Sequence, residues 1–286
     1  MDLATCYGTR PGISFELFPP KTPAGDAVLF EHLDRLMSHR PAFITCTYGA
    51  GGSTRDRTLE LIARVKTAYR LTVASHLTCV GASVDELRAY LTRARERGID
   101  AIVALRGDPP AGQASFEPAP GGFRNARELV GLIRAEFPEY GIAVAGYPET
   151  HREAPSARAD LENLKRKVDT GADIVMTQLF YDNGDFFRFA DACASIGIQV
   201  PLIPGILPIT NLAQIQRISS LCGARLPASL VNRLALRDDP DWQFQVGVEF
   251  AVGQVRELLA RGVPGIHFYV LNKSQAACEV LDGALA

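Results

Sequence analysis

The sequence predicts an α/β fold, a (β/α)8 barrel with extra helices between the seventh and eighth strands. Short apolar, β-branched runs alternate with amphipathic helical stretches, which is typical of parallel strands joined by helices. Eight such runs favour a closed barrel over an open doubly wound sheet, which usually has fewer strands. The length of 286 residues also suits this fold, since such barrels typically have ~250 residues. We therefore expect one domain over residues 1–286.

The eight predicted strands are apolar almost throughout, as strands that are covered on both faces must be. In chain order they are residues 13–18, 43–48, 73–78, 101–106, 142–147, 174–180, 200–207 and 266–271. Because parallel strands end on the same side, their carboxyl ends would form one rim of the barrel. Enzymes with this fold have their active sites at that rim.

Helical stretches lie between these strands. Residues 84–97 show the pattern clearly, because apolar residues recur at helical spacing, Ser83 can cap the first turn and Gly98 can end the helix. The other predicted helices are residues 27–39, 55–69, 126–136, 157–170, 185–195, 212–221 and 274–285. Residues 227–262 are longer than one crossover and predict an additional helix or two. The Gly- and Pro-rich residues 108–122 predict a long functional loop.

The composition argues against several classes of partner. A net charge of −2, with Lys and Arg spread along the chain, gives no basis for binding nucleic acid or an anionic membrane. No segment approaches the ~20 apolar residues of a membrane span, and no apolar signal-peptide core is present. Six cysteines without a C-x-x-C pair, and no His/Cys cluster, predict a cytoplasmic protein with reduced thiols and no metal site.

Polar residues stand at the end of strand after strand. Taken alone, Glu16 is explained as a buried carboxylate paired with a cation, His76 as a core histidine, and Asp108 as part of a turn. Together such residues predict a cleft with several convergent polar groups, which is the usual form of an active site. The residues at these strand ends are Glu16, Thr47, Tyr48, His76, Arg106, Gly107, Asp108, Tyr147, Gln178 and Lys273.

Common nucleotide-binding motifs are missing from the sequence. Neither G-x-G-x-x-G after the first strand nor a P-loop is present, so a Rossmann site is not indicated. The glycines that follow Tyr48 could let backbone amides approach a ligand, although a Gly-rich loop alone is a weak signal. In the fifth helix, Asn163, Arg166 and Lys167 fall near one face. That face is either solvated or a clamp for a diphosphate.

From Phe15 to about Lys273 the chain resembles the methylenetetrahydrofolate reductases. The matching segments are FELFPPK, TYGAGGSTRDRT, HLTC, ALRGDPP, YPETH, DLENLKRKVDTGAD, TQLFYD, PGILPITN and HFYVLN. Each segment is short, but their order and spacing are together highly specific. The length resembles that of a bacterial member with the catalytic barrel alone, so we expect no regulatory C-terminal domain of the kind found in eukaryotic members.

The resemblance implies an enzyme that reduces 5,10-methylenetetrahydrofolate to 5-methyltetrahydrofolate, which supplies methyl groups for methionine synthesis. It implies noncovalent FAD at the barrel rim. NADH or NADPH would reduce the flavin and leave, and the folate would then take the hydride in the same place, as a ping-pong reaction. Members of the family form dimers and tetramers, so a homo-oligomer is expected. The expected partners are the small folate and nicotinamide substrates.

The resemblance also implies roles for individual residues. Glu16 would be the general acid that helps to open the five-membered ring of the folate, and Asp108 would lie beside the flavin and the pterin. A general acid must carry a proton, and we expect burial to raise the pKa of Glu16 for this purpose. The flavin-binding positions are Thr47, Tyr48, His76, Arg106, Gly107, Asp108, Ala126, Tyr147, His151, Asp160, Asn163, Arg166 and Lys167. The substrate-binding positions are Gln178, Gln214 and Lys273.

Three residues depart from the family pattern. Asn125 replaces a frequent aromatic residue before Ala126, Ile218 replaces a Phe that packs on the nicotinamide or folate, and Lys273 replaces an Arg that binds the folate tail. These changes bear on substrate affinity and donor identity more than on the reaction. Two other functions stay open: a different flavin barrel, such as a proline dehydrogenase-like oxidase, and a flavin- or folate-binding subunit without turnover of its own.

Overall fold

A computed structural model describes residues 1–8, 10–48, 55–109, 112 and 115–286 of the chain. Its strands are β1 (Gly12–Leu17), β2 (Phe43–Cys46), β3 (Thr72–Thr78), β4 (Ala101–Leu105), β5 (Gly141–Gly146), β6 (Ile174–Thr177), β7 (Leu202–Ile203), β8 (Gly205–Ile206) and β9 (Gly265–Tyr269). All neighbouring pairs are parallel, in the order β7-β6-β5-β4-β3-β2-β1-β9-β8.

Helices follow the strands along the chain. They are α1 (Pro23–Leu36), α2 (Arg55–Tyr69), α3 (Val84–Glu96), α4 (Ala126–Glu136), α5 (Ala157–Asp169), α6 (Asn183–Ser195), α7 (Leu212–Cys222), α8 (Ala228–Leu234), α9 (Pro240–Ala260) and α10 (Gln275–Leu285). Ser83 caps α3 through a capping box with Glu86, and Gly98 follows with a left-handed φ of 71°, as predicted. The extra helices predicted in residues 227–262 are α8 and α9.

The predicted seventh strand, residues 200–207, is divided into β7 and β8 by Pro204. Proline has no N–H to donate to a ladder, so it interrupts regular pairing. The Pro204 carbonyl still accepts a hydrogen bond from the backbone N–H of His267 at 2.9 Å. β7 pairs with β6, and β8 pairs with β9. The two halves of the divided strand therefore bring the ends of the sheet together, and the barrel is nearly closed. The prediction of a (β/α)8 barrel is confirmed, and that of one continuous seventh strand is wrong.

Residues of β1 alternate between two environments, although all six are buried. Ile13, Phe15 and Leu17 belong to the large apolar cluster that packs the strands against the helices. Ser14 and Glu16 lie on the other side of the strand, inside the barrel, because successive side chains of a strand point in opposite directions. The sixth strand is shorter than predicted. It ends at Thr177 and does not continue to residue 180.

The amino-terminal end of the barrel is filled by apolar side chains. A 3-10 helix (Leu3–Cys6) that the sequence analysis did not predict places Leu3 and Tyr7 there. They pack against residues from several strands, including Phe43 and Val103. The opposite, carboxyl end of the barrel holds the polar side chains.

A third apolar cluster joins α7, α8 and α9 to the ends of β6 and β8, and includes Leu179, Leu207 and Ile215. Gly247 of α9 runs so close to Ile209 that any Cβ there would collide with the Ile209 carbonyl oxygen. Among the helices of the described ranges, none is long and apolar enough to cross a membrane. Within the same residues, no group of three or more His, Cys, Asp or Glu side chains could hold a metal ion.

Candidate active site

Two imidazoles flank the carboxylate of Glu16 inside the barrel. Glu16 is only 7% exposed, and its Oε2 lies 3.2 Å from Nε2 of His76 and 3.8 Å from Nε2 of His267. His76 is contributed by β3 and His267 by β9. A carboxylate between two such groups can exchange protons with either of them.

Ser14 orients the ring of His267. Its Oγ lies 2.8 Å from Nδ1 of His267, and the two residues are register partners of β1 and β9. Occupying Nδ1 in this way leaves Nε2 facing Glu16. Tyr7 extends the polar line, since its hydroxyl lies 3.5 Å from Ser14 Oγ. Sequence reasoning missed Ser14 and His267; the signal was a His within the otherwise apolar and aromatic segment HFYVLN.

The pKa of Glu16 moves in the opposite direction to the sequence-based expectation. Burial alone raises the pKa of this carboxyl group. The charge of His76 and the proximity of both imidazoles outweigh that effect and lower the pKa of Glu16 to about 2. The expectation of a carboxyl group kept protonated by its surroundings is therefore wrong for this structure, because its neighbours are not simply apolar.

His76 has capacity for further hydrogen bonds. Among the described residues, neither ring nitrogen of His76 has a partner with hydrogen-bond geometry, although both are buried. Its Nε2 lies 3.2 Å from the Glu16 carboxylate without hydrogen-bond geometry, and Nδ1 is unused within the described residues. A buried polar atom without a partner is costly, so this nitrogen is suited to meeting a ligand.

The ends of β2 and β3 are tied together by Tyr48. Its hydroxyl donates to Thr78 Oγ1 at 3.0 Å and accepts from the Thr78 backbone N–H at 2.6 Å. Thr47 joins the same rim, because its N–H donates to the Leu17 carbonyl at 2.9 Å. The glycines predicted to admit a ligand after Tyr48 lie outside the described residues.

The segment after β4 presents Arg106, Gly107 and Asp108. Arg106 Nη1 contacts Glu153 at 2.6 Å, and its guanidinium lies 5.0 Å from the ring centre of Phe116. Gly107 has φ 86°, and a Cβ there would come within 2.6 Å of Val80, so a glycine is required. The carboxylate of Asp108 is exposed at the rim.

Ala126 is the first residue of α4, and Asn125 before it caps that helix. The Asn125 side chain accepts from the Glu128 N–H at 3.2 Å, and Glu128 Oε2 accepts from the Asn125 N–H at 3.1 Å. This reciprocal capping box satisfies two N–H groups of the first turn. The departure from an aromatic residue at this position therefore has a structural role in this chain.

The loop after β5 and the helix α5 form the next part of the rim. The rings of Tyr147 and His151 meet edge to face at 4.6 Å, and Asp160 accepts from the His151 N–H at 2.8 Å. Lys167 donates to the Ala145 carbonyl at the end of β5 at 2.6 Å. Burial lowers the pKa of Lys167 to about 8, against the opposing charge of Asp160.

The three polar residues predicted to share a face of α5 are divided by the structure. Lys167 is turned toward β5, whereas Arg166 Nη1 donates to Asn163 Oδ1 at 2.9 Å in an exposed pair. Lys167 therefore lies beside the barrel strands, whereas Arg166 and Asn163 face outward. A positive charge is available at both places for an anionic group.

The predicted substrate residues lie on three other elements. Gln178 follows β6 and is half-buried, with its Oε1 accepting from the Leu179 N–H at 2.9 Å. Gln214 is exposed in the first turn of α7, and Lys273 is exposed after β9. Ile218 is half-buried and packs in the third apolar cluster. The structure thus places an enclosed acid–base group beneath an open, polar rim.

The chain is similar in sequence to known proteins of one family over almost its whole length. The family model described as methylenetetrahydrofolate reductase matches residues 5–284. The Escherichia coli (strain K12) 5,10-methylenetetrahydrofolate reductase is 42% identical over 94% of this chain and 90% of its own length. The Arabidopsis thaliana methylenetetrahydrofolate reductase (NADH) 1 is 41% identical over 94% of this chain. The chain spans 47% of that plant relative's length.

Solved structures show the fold of this chain. An uncharacterized protein from Clostridium thermocellum, which binds two copies of 5-methyl-5,6,7,8-tetrahydrofolic acid, aligns with a TM-score of 0.64 at 13% identity. The alignment covers 99% of this chain and 96% of that one. A Xanthomonas albilineans dihydropteroate synthase in complex with 7,8-dihydropteroate aligns with a TM-score of 0.52 at 14% identity, over 97% of this chain and 94% of that one. The family model matches nearly the whole chain, and the two relatives are more than 40% identical to it. The chain therefore belongs to the methylenetetrahydrofolate reductase family.

Proposed function

We propose that this chain reduces 5,10-methylenetetrahydrofolate to 5-methyltetrahydrofolate through FAD, with NADH or NADPH as the electron donor. The observation that carries the proposal is the buried Glu16 between His76 and His267 at the active end of a barrel of this family. Folate reduction of this kind needs one proton donor and one hydride path. Glu16 lies where a proton can be delivered from inside the barrel.

The residues at the rim fit a noncovalent FAD. The buried imidazole of His76 offers a nitrogen without a partner among the described residues. Arg166 and Lys167 supply positive charge for a diphosphate, and Tyr147 with His151 offers aromatic surface. The chemistry that bound FAD would supply is hydride acceptance from a nicotinamide and hydride delivery to the folate. The chain's own residues would bind, orient and exchange protons.

Proton delivery is the part of the reaction that Glu16 would perform. The methylene group of the substrate bridges N5 and N10, and opening of the ring requires a proton on N10. Glu16 is ionised near neutral pH because its pKa is lowered, so a proton must reach it first. His76 and His267 are the titratable side chains in contact with it. We infer that an imidazole passes a proton to Glu16, which passes it to N10.

Folate binding would favour this transfer. Burial is already the largest single influence on Glu16, and it raises the pKa of the carboxyl group. A folate that covers the rim would remove further water from the site and raise that pKa again. The carboxyl group would then hold its proton long enough to deliver it to the amine.

Other rim residues would position the substrates. Asp108 would place a carboxylate beside the flavin and the pterin, and Gln178 would meet the nicotinamide and the folate in turn. Gln214 and Lys273 would bind the folate, with Lys273 near its anionic tail. Lys273 provides a point charge instead of the bidentate fork of an Arg, so weaker tail binding is expected than with Arg.

The names of the plant relatives specify NADH, which favours NADH over NADPH as the electron donor of this chain. The proposal includes one catalytic domain over residues 1–286 and a ping-pong order of substrates. It also includes a cytoplasmic homo-oligomer, a dimer or tetramer, that serves methionine synthesis. The relatives of similar length, such as the Escherichia coli protein, support the reading of the barrel as a catalytic unit.

An anaerobic assay of the purified chain tests the proposal. Protein loaded with FAD should lose flavin absorbance when NADH is added and regain it when methylenetetrahydrofolate follows. A different flavin oxidase would not be reoxidised by the folate. A binding subunit would hold FAD or folate but would not be reduced by NADH. A chain that takes up no FAD would contradict the cofactor assignment.

A further inference from the structure

Phe18 is an exposed aromatic residue at the active end of the barrel. Its side chain is 39% exposed, and it belongs to none of the three apolar clusters in the described residues. It follows β1 directly, two residues after Glu16. Because Ser14 and Glu16 point into the barrel while Phe15 and Leu17 point outward, continued alternation places Phe18 on the inner side, above Glu16.

The backbone of Phe18 is held by a reciprocal pair of hydrogen bonds. Its N–H donates to Oδ1 of Asn272 at 2.8 Å, and its carbonyl accepts from Nδ2 of Asn272 at 2.7 Å. Asn272 follows β9, the strand that pairs with β1. One side chain therefore links the segments that leave two neighbouring strands, and it fixes Phe18 relative to Lys273, the next residue after Asn272.

Asn272 also has an unusual backbone. Leu271 has φ 47° and Asn272 has φ 60°, so two successive non-glycine residues adopt the left-handed region. This region costs free energy for residues with a Cβ, although Asn tolerates it better than most. Strained residues persist where the surroundings hold them and are concentrated at binding and catalytic sites. The hydrogen bonds to Phe18 are part of what holds this turn.

We propose that Phe18 is a substrate-binding residue that packs against the aminobenzoyl ring of the folate, and that Asn272 positions it. This inference rests on the proposed function. In a folate, N10 is bonded directly to the aminobenzoyl ring, and Glu16 would protonate N10. The next residue on the same side of a strand lies about 6.6 Å further along, so a large side chain there can contact a ring that is bonded to N10. Phe18 is that residue.

The chemistry of the two groups is complementary. An aromatic side chain with an uncovered face is suited to stacking on a flat aromatic ring. The carboxylate tail continues from the far side of that ring, and the exposed Lys273 stands next to Asn272. Glu16, Phe18 and Lys273 would therefore follow the folate from N10 through the aminobenzoyl ring to its tail. NADH and NADPH have no aromatic ring bonded directly to the nicotinamide, since their adenine lies beyond two riboses and a diphosphate, so Phe18 should distinguish the folate from the dinucleotide.

The test uses the FAD-loaded chain and two half-reactions measured separately. Phe18→Ala should weaken the apparent affinity for methylenetetrahydrofolate about tenfold, which corresponds to the worth of one aromatic contact, and leave reduction by NADH unchanged. Phe18→Tyr should keep most of the affinity, and Phe18→Leu should lose much of it. Leu285→Ala serves as a control, because Leu285 is 56% exposed at the end of α10 and should change neither half-reaction.

Asn272→Gly isolates the positioning role, because Gly accepts the left-handed backbone but lacks the side chain. It should weaken folate affinity several-fold, and the double variant with Phe18→Ala should be little worse than Phe18→Ala alone. Additive losses, or unchanged affinity in Asn272→Gly, would show that Asn272 does not act through Phe18.

Unchanged folate affinity in Phe18→Ala, or equal loss in both half-reactions, would overturn the inference. If Phe18→Ala does not fold, the comparison of Phe18→Tyr with Phe18→Leu decides between the same outcomes. Failure of the proposed function looks different. In that case the wild-type reduced flavin is not reoxidised by the folate, whatever residue stands at position 18.

Discussion

The hydroxyl oxygen of Ser14 lies 2.8 Å from Nδ1 of His267, across the pair of strands β1 and β9. This contact determines which nitrogen of His267 faces Glu16. The buried acid–base group is therefore a set of residues from three strands, β1, β3 and β9, and each member can be tested by substitution.

Glu16→Gln should separate the two half-reactions. Gln keeps the size and hydrogen bonding of Glu but cannot deliver a proton, so the variant should fold, bind FAD and be reduced by NADH. Hydride transfer to methylenetetrahydrofolate should fall by at least the ~10²–10⁴-fold typical of a lost general acid. Stopped-flow measurement of each half-reaction decides the matter. Equal slowing of both would indicate a misplaced flavin, and an unaffected folate step would remove Glu16 from the mechanism.

Ser14→Ala should slow the folate step by about tenfold, since His267 would lose the hydrogen bond that orients it. The pH dependence of this step should change as well, because the imidazole next to Glu16 is freed. Ser75→Ala is the matched control: Ser75 is equally buried in β3 and contacts the Tyr90 hydroxyl at 2.6 Å. Both variants should lose some stability. If the control alters the folate step as much, Ser14 has only a structural role.

Acid unfolding should reveal the lowered pKa of Glu16. The pKa of this group falls from 4.5 to about 2 in the folded chain. A carboxyl group with a depressed pKa stabilises the fold above about pH 4.5, and this contribution is lost as the pH falls toward 2. It is on the order of 3 kcal/mol. Denaturant titrations between pH 6 and 2 should show a steeper loss for the wild type than for Glu16→Gln. Parallel curves would contradict the lowered pKa.

Replacing Arg166 and Lys167 together by Ala should strongly weaken FAD binding, because a diphosphate would lose two charge-assisted contacts. Lys165→Ala is a suitable control on the same helix, since Lys165 pairs with Asp169 in an exposed contact. FAD affinity should also fall as the pH rises above about 8, where Lys167 loses its charge. Fluorescence titration of the apoprotein measures both effects. Unchanged affinity would mean that neither Arg166 nor Lys167 contacts the diphosphate.

Much of the barrel could be predicted from local pattern alone. Apolar runs located the strands, and Ser83 and Gly98 located the ends of α3. The division of the seventh strand was also readable in principle, because Pro204 cannot donate to a ladder. The acid–base group could not be predicted from the sequence, because Ser14 and His267 meet only after the barrel closes. The direction of the Glu16 pKa was missed for the same reason: its apolar sequence neighbours lie outside the barrel, and its actual neighbours come from distant strands.

The division at Pro204 has a consequence for motion. The seam of the barrel consists of two strands of two residues each, so few backbone hydrogen bonds resist its opening. Side chains reinforce it, because Thr177 Oγ1 accepts from the Gly205 N–H at 2.9 Å and the Thr177 carbonyl accepts from the Tyr269 hydroxyl at 2.8 Å. Local opening should begin here, and the amides of Gly205 and Ile206 should exchange with deuterium before those of β1. Because α7 follows this seam, such breathing would, under the proposed ping-pong order, give one substrate a way out and another a way in without unfolding the rest of the barrel.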